Sequence, residues 1–304
     1  MKLEKIVVVK KETSLEELLA RHATTSQVKF YLESRGESYE FYRAAQLDYQ
    51  AGLEETLKGI SSSVRSQVID RKYLPTFQFG NKDLVVVVGD PGLVVNVAKY
   101  VGEQPIISVN PDPARFEGIF SACTPKGFPA KLRETLDNKV RIERLTMAEA
   151  CLDDGQIMYA INDLFIGRDS HVSARYTIEY EGEKEMHSSS GIIVSTGTGS
   201  TGWLTSIMIG AHSIAGQNYS AAEARFPRDS DYLIFAVREP FPSKITGADI
   251  VYGEITRDSP LRIVSRMPER GVIFSDGIES DYLEFNAGRS AIIRPSEKGV
   301  NLVR

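Results

Sequence analysis

Short, unbroken apolar runs alternate with amphipathic stretches through the first third of the chain. Residues 5–10 (KIVVVK) and 83–89 (DLVVVVG) are continuous β-branched runs, the second closed by glycine. Such runs suit parallel strands covered on both faces. Residues 13–20 join a cap candidate at Thr13, acids at Glu16 and Glu17, and apolar positions at helical spacing, which predicts a helix. Helical spacing recurs over 27–35 and over 49–67, where Leu53, Leu57 and Ile60 share one face. A Gly-Asp-Pro-Gly turn leads into 93–100, read as a helix despite its β-branched content, and 105–109 is the next strand. This alternation predicts an open α/β sheet, with ligands beyond the strand carboxyl ends, where the loops after Val88 and Val109 lie.

From about residue 116 the pattern changes. Short strand-like runs at 157–166, 171–180, 186–195, 232–237, 261–267, 272–275 and 282–285 are separated by Gly, Asp, Asn or Pro, so this half reads as mostly β. Glu181-Gly182-Glu183 fits a hairpin turn, and Asp276-Gly277 is a stronger turn signal. The pair of runs at 290–294 and 300–303 closes the chain. The expected organisation is an N-terminal open parallel-sheet α/β domain over 1–115 and a C-terminal β-rich domain over 116–284. The last segment, about 285–304, is expected to return to the first domain. The serine triplets at 61–63 and 188–190 are too short to be linkers.

Composition narrows the classes of function. With 304 residues, 42% hydrophobic and 25% charged, the chain is an ordinary globular one, long enough for two cored domains. Lys+Arg 36 against Asp+Glu 41 gives a net charge of -5, which lends no global support to nucleic-acid or anionic-membrane partners. Cys123 and Cys151 lack metal-ligand spacing, and His22, His171, His187 and His212 are scattered, so no protein-held metal is expected. No window approaches the roughly 18 apolar residues of a membrane span, and no apolar leader opens the chain. A cytoplasmic protein is expected.

One stretch carries candidate chemistry. In residues 191–204 (GIIVSTGTGSTGWL) a β-branched run meets Ser195, Thr196, Thr198, Ser200 and Thr201 interleaved with Gly197, Gly199 and Gly202, and an apolar helical run over 204–209 follows. Strand, loop, helix is the order of a phosphate-cradling turn: glycines allow close backbone approach, while hydroxyls and helix N-terminal N–H groups supply donors. The same composition also serves a turn whose Ser and Thr only cap a helix.

The order of motifs resembles the NAD kinase family, part of a superfamily with diacylglycerol kinases and 6-phosphofructokinases. An apolar strand ends at Gly89, then come Asn110-Pro111-Asp112-Pro113, Ala160-Ile161-Asn162-Asp163 and Ser195-Thr196-Gly197-Thr198-Gly199-Ser200-Thr201. The resemblance covers the chain from about residue 80 onward. It implies a nucleotide-binding α/β domain, a β-rich domain and a nucleotide site. It also implies ATP with Mg²⁺ as donor, NAD as substrate or ligand, and a homodimer or homotetramer. By that resemblance Asn162 contacts an adenine edge and Asp163 ribose hydroxyls, and Gly89, Gly92, Ser195, Thr196, Thr198, Gly199, Ser200, Thr201 and Trp203 line the nucleotide. Their chemistry fits, since an amide donates and accepts at once and a carboxylate receives two vicinal hydroxyls.

The departures bear on catalysis. The family's Gly-Gly-Asp-Gly-Thr is here Gly89-Asp90-Pro91-Gly92-Leu93. Pro91, with neither a titratable group nor an N–H, cannot replace the family's acid, and Leu93 removes a hydroxyl. Asp90, one place earlier, becomes the candidate base, against the alternative of a turn-forming Asp-Pro-Gly. Asp276, in a late Phe274-Ser275-Asp276-Gly277, resembles the family's closing Asp-Gly and is a second candidate, with a turn as the competing role. Trp203 could stack on a ring or pack in the core. Ser190 stands where the family has an acid, which weakens recognition of the second half of NAD. Arg115, Lys126 and Arg168 are candidate cations for the phosphates. Two functions remain open: ATP-dependent phosphorylation of a hydroxyl on NAD or a related nucleoside or sugar, and a catalytically degenerate protein that senses NAD(P) or adenine nucleotides.

Overall fold

The computed structural model describes residues 3–61, 64–116, 118–279 and 281–304. Ser62 and Ser63 of the first serine triplet lie outside the described residues. The chain divides into two compact units, residues 1–143 with 300–304, and residues 144–299.

The first unit is an open parallel sheet with helices. Its elements are β1 (Ile6–Lys10), α1 (Ser14–His22), α2 (Thr25–Ser34), α3 (Tyr39–Lys58), β2 (Ser66–Asp70), β3 (Leu84–Val88), α4 (Pro91–Ala98), β4 (Pro105–Val109) and α5 (Phe128–Leu136). Strand order is β2-β1-β3-β4, all parallel, and Asn301 and Leu302 pair with Pro105 and Ile106 of β4. Every residue of β3 is buried, as its unbroken apolar run predicts. Ile6, Val8, Val86, Val88, Ile107, Phe128 and Leu132 share a core with Val303 from the chain's end. Helix α5 builds part of that core, which carries the first unit through Glu143, beyond the change of sequence character near 115.

Helix α1 starts where its signals put it. Thr13 accepts from Glu16 N–H while its own N–H donates to Glu16, a reciprocal capping box. Helix α3 runs ten residues further toward the N-terminus than its strongest periodicity, and β2 takes Gln67 instead of the helix. Strand β2 has three of its five residues exposed and exists because its backbone pairs with β1, a tertiary cause that no local pattern announces. In α4, Val94, Val95 and Val97 are helical against their propensity because all are buried.

The second unit is β-rich. It contains most of β5 (Ile142–Leu152), then β6 (Ile157–Ala160), β7 (Asp163–Arg168), β8 (Ala174–Tyr180), β9 (Glu183–Ser189) and β10 (Ile192–Ser195). After α6 (Trp203–Ile214) come β11 (Leu233–Val237), β12 (Tyr252–Ile255), β13 (Leu261–Ser265), β14 (Gly271–Ser275) and β15 (Tyr282–Glu284), and β16 (Ser290–Val303) begins here. An antiparallel sheet of order β12-β11-β10-β7-β14-β15 faces strands β8, β9 and β13 and the first part of β16. Leu164, Ile166, Ile192, Val194 and Phe235 from one layer meet Tyr176, Ile178, Leu261 and Ile263 from the other in the main core. The hairpin from β8 to β9 turns on Glu181 and Gly182, both at positive φ (49° and 83°), as its two-residue signal predicts.

Two expected strands are each divided. The run 157–166 is β6 and β7, interrupted at Ile161-Asn162, and 186–195 is β9 and β10, which belong to different sheets. The run 290–303, expected as two strands, is one. Strand β5 was hidden by helix-forming Met147, Ala148, Glu149 and Ala150; it is a strand because it pairs with β6, and its buried Glu149 is held by Arg294 at 2.9 and 3.1 Å.

Candidate functional site

In the second unit, β7 lies between β10 and β14, with Asp163 opposite Ser195 and Leu164 opposite Ser275. Asn162-Asp163, the Gly-rich loop and Asp276 therefore meet at one end of the same three strands. Asp276 is the clasp. It sits at φ 56° just past β14, and its Oδ1 accepts the N–H groups of Asn162 (2.7 Å), Ile161 (3.1 Å) and Asp163 (3.4 Å). Asp276 N–H in turn donates to Asp163 C=O at 3.0 Å. A carboxylate beside three consecutive N–H groups satisfies the donors that the break between β6 and β7 would otherwise leave buried and unpaired.

The Gly-rich loop docks on the same break. Thr196 N–H donates to Asn162 C=O (2.9 Å), and the Thr196 hydroxyl donates to Ile161 C=O while accepting Thr198 N–H (3.1 Å) and Gly199 N–H (3.2 Å). A Cβ on Gly199 would stand 2.0 Å from Asn162 O, and one on Gly197 1.9 Å from Pro227 O, so both glycines are required by close backbone approach. The hydroxyls of Ser195 and Ser200 close on the backbone of Thr196 and Gly197. Thr201 is exposed, whereas the Thr198 hydroxyl is buried without a hydrogen-bond partner among the described residues. The hydrogen bonds described at Asn162 run through its backbone, and Asp163 is 9% exposed.

Trp203 opens α6 and stacks parallel to Phe165 (5.9 Å between ring centroids, 3° between planes), with the Arg238 guanidinium 5.3 Å from its ring centre. Phe165, Ile193, Val272 and Phe274 form the small apolar layer beneath it. Arg168 is at the far end of β7 from Asn162 and pairs with Glu269 at 3.4 Å.

Gly89, Asp90 and Gly92 belong to the first unit. Asp90 is the N-cap of α4, accepting Leu93 N–H at 2.9 Å, and Pro91 takes the first helical position, where its missing N–H costs nothing. The other Asp90 oxygen pairs with Lys11. Asp112 caps the turn after β4 by accepting Arg115 N–H (3.3 Å) and pairs with the Arg115 side chain, which also reaches Asp48 at 3.0 Å. Both pairs border a cavity of about 520 Å³ wholly within this unit. Tyr49 lies in its wall, its hydroxyl accepting Lys11 N–H and donating to Val88 C=O, both at 3.0 Å; burial pushes that hydroxyl up to about 12. Lys11 and Tyr49 carry no motif, and only the convergence of β1, α3 and β3 reveals them. Lys126 is exposed. Burial raises the Cys123 thiol to about 11, which leaves it unreactive at neutral pH.

Among the described residues no three His, Cys, Asp or Glu side chains come together as a metal-holding group, and no helix is long and apolar enough to cross a membrane. No protein-family profile matches the sequence, and no curated protein is similar to it at a significant level. Solved structures do share the fold. An NAD kinase from Archaeoglobus fulgidus, in complex with ATP, superposes with a TM-score of 0.58 at 16% identity, covering 99% of this chain and 93% of that chain. Yeast NADH kinase complexed with NADH gives 0.60 at 15% identity, covering 100% and 84%. The protein has an NAD kinase-like fold.

Proposed function

We propose that the protein is an NAD kinase-like phosphotransferase of the cytoplasm, which moves a phosphoryl group from ATP to a hydroxyl of NAD or a related nucleoside or sugar. The observation that carries this reading is the convergence of Asn162-Asp163, the Gly-rich loop and Asp276 at one end of β7. There Asn162 offers its carboxamide to a base edge, Asp163 its carboxylate to ribose hydroxyls, and Thr198 a buried hydroxyl that has no hydrogen-bond partner among the described residues. Gly89, Gly92, Ser195, Thr196, Gly199, Ser200 and Thr201 act as backbone and frame, and Trp203 as an aromatic wall.

Phosphoryl transfer asks mainly for positioning and charge stabilisation. Asp90 is the proposed base. Two of its acceptor sites are taken by Leu93 N–H and Lys11, which leaves others to receive the acceptor hydroxyl's proton as that oxygen attacks the terminal phosphorus and ADP departs. Asp276 acts by positioning Asn162 and Asp163. The described residues do not form a resident Mg²⁺ cage, and Asp90 and Asp112 are each paired with a cation; the ion's ligands would come chiefly from the donor's phosphates.

A second reading is favoured by one observation: Asp90 is engaged as a helix cap and ion-pair partner, Pro91 is not an acid, and Leu93 has no hydroxyl. On that reading the protein binds NAD(P) or adenine nucleotides without transfer. Incubation with Mg-ATP and a panel of NAD, NADH, nucleosides and sugars, alongside calorimetry, separates the two. Transfer abolished by Asp90→Asn, a substitution that retains the helix cap, supports the kinase. Binding without transfer to any acceptor supports the sensor. If Asn162→Ala and Asp163→Ala both leave adenine-nucleotide affinity unchanged, the nucleotide site is wrongly placed; each is expected to weaken it by about 1 to 3 kcal/mol.

A further inference from the structure

Among the described residues β9 is the last strand of its sheet, beyond β8, so one of its backbone edges has no neighbouring strand. That edge is covered from the other sheet. Residues 238–250 leave the end of β11, run along β9 and return to β12. Phe241 N–H donates to Ser188 C=O and Gly247 N–H to Met186 C=O, both at 2.9 Å. At the root of the segment, Arg238 N–H donates to Gly191 C=O (2.8 Å) and Arg238 C=O accepts Ser190 N–H (2.9 Å). The tip is closed on itself: Ser243 N–H donates to Thr246 C=O (2.8 Å) and the Thr246 hydroxyl to Phe241 C=O (2.7 Å). Phe241 and Ile245 are 65% and 73% exposed there, so little apolar burial holds the tip down.

Glu185 of β9 fastens the returning end. Its carboxylate accepts Asp249 N–H (3.1 Å) and Ile250 N–H (3.0 Å). A Cβ on Gly247 would stand 1.6 Å from Glu185 Oε1, so only glycine lets the chain pass this close. The buried His187 ring meets the same carboxylate through Nε2 at 2.6 Å, while its Nδ1 has no partner among the described residues. Tyr176 of β8 stacks on that ring (5.5 Å between centroids) and bonds Ser189 at 2.8 Å. The same face carries Glu183 of β9 and Tyr180 of β8, and the opposite sheet meets it with Phe235 and Val237. Glu239, Lys244 and Asp249 of the covering segment are exposed, and Arg266 reaches Met186 on the other face of β9.

Burial alone would raise the Glu185 carboxyl, but the N–H groups of Ile250 and Asp249 and the His187 ring hold it below its ordinary 4.5. The closed segment therefore binds the ionised carboxylate, and a proton taken up there favours the open form. Hydrogen bonds to an ionised acceptor are also the stronger ones, so a neutral carboxyl fastens the segment less well.

We propose that residues 239–250 are a strap that opens as one unit when its latch, the Glu185 carboxylate, is protonated, baring the edge of β9 while the sandwich stays folded. The strap stands apart from Asn162-Asp163 and the Gly-rich loop and works whether or not a nucleotide binds. It is a local opening, distinct from global unfolding.

The test is hydrogen exchange read by mass spectrometry on the full-length protein, from about pH 7 down to about pH 3.5, with rates corrected for their intrinsic pH dependence. Peptides from 239–250 are compared with peptides from β10. The expected result is a loss of protection of at least tenfold over 239–250 as the pH falls below about 4.5, before β10 loses any. Glu185→Gln, a neutral side chain of the same length, should show the same loss at neutral pH with β10 still protected. Glu183→Gln, an exposed position on the same strand, should leave the strap closed. A strap that keeps its protection until β10 loses its own overturns the proposal. So does a folded Glu185→Gln protein with wild-type protection over 239–250. If that variant does not fold, the pH series on the wild type decides alone.

Discussion

The carboxylate of Asp276 accepts the backbone N–H of Asn162 at 2.7 Å across 114 residues of chain. That bond and its neighbours to Ile161 and Asp163 explain why a run that reads as one strand is two. Asp276→Ala leaves three N–H groups without their acceptor and places Ala at a positive φ, so it is expected to cost about 1 to 3 kcal/mol. Asp276→Asn, which tolerates that backbone and keeps one carbonyl, should cost less. Urea unfolding measures both; equal stability of wild type and Ala variant would show that the clasp contributes nothing.

Gly199 and Gly210 should respond in opposite directions to the same substitution. A Cβ at 199 collides with Asn162 O, whereas at 210, in the middle of α6, it meets nothing within 4 Å. Gly199→Ala is expected to destabilise by about 1 to 3 kcal/mol through overpacking, and Gly210→Ala to stabilise by up to about 1 kcal/mol through helix propensity. Calorimetric melting of the two variants checks the contrast.

Trp203 is the single tryptophan, so its emission reports on α6 alone. Trp203→Phe preserves an aromatic partner for Phe165 and should cost less than about 1.5 kcal/mol, with Trp203→Ala costing about twice that or more. If a nucleotide binds with no change in Trp203 emission, the ring is packing and not a ligand wall.

Acid stability should depend on Glu185. Burial alone would raise its carboxyl, but the N–H groups of Ile250 (3.0 Å) and Asp249 (3.1 Å) and the His187 ring (2.6 Å) hold it below its ordinary 4.5. A group whose pKa is lower in the folded state than in the unfolded chain stabilises above the unfolded value. That contribution is lost as pH falls from about 4.5 through the folded value. Glu185→Gln should flatten the stability profile in that window; an unaltered acid limb would remove this assignment.

Helix α6 presents Ile209 and Ile214 at 39% and 91% exposure. A homodimer or homotetramer covering such surface is expected. Light scattering that gives a monomer at micromolar concentration would count against it, and Ile214→Lys should shift an oligomer toward smaller species.

Much of the architecture was legible in the residues. The unbroken β-branched runs at β1 and β3 announced central parallel strands because burial on both faces demands apolar side chains at every position. Thr13 with Glu16, and Glu181 with Gly182, announced a helix start and a hairpin because those bonds and dihedrals are made within a few residues. Neighbour-free reasoning failed where the partner lay far along the chain. Strand β2 depends on β1, β5 on β6, and the break before β7 on Asp276, so short-range patterns there pointed to a helix, to nothing, or to one long strand. The site divides in the same way. Asn162-Asp163 and the Gly-rich loop were visible as motifs, but the sequence could not say which hydroxyls face a ligand. Folding turned those of Ser195 and Ser200 onto the loop's own backbone, set that of Thr196 between Ile161 C=O and the N–H groups of Thr198 and Gly199, and left Thr198 without a described partner, because buried N–H and C=O groups have to be satisfied first.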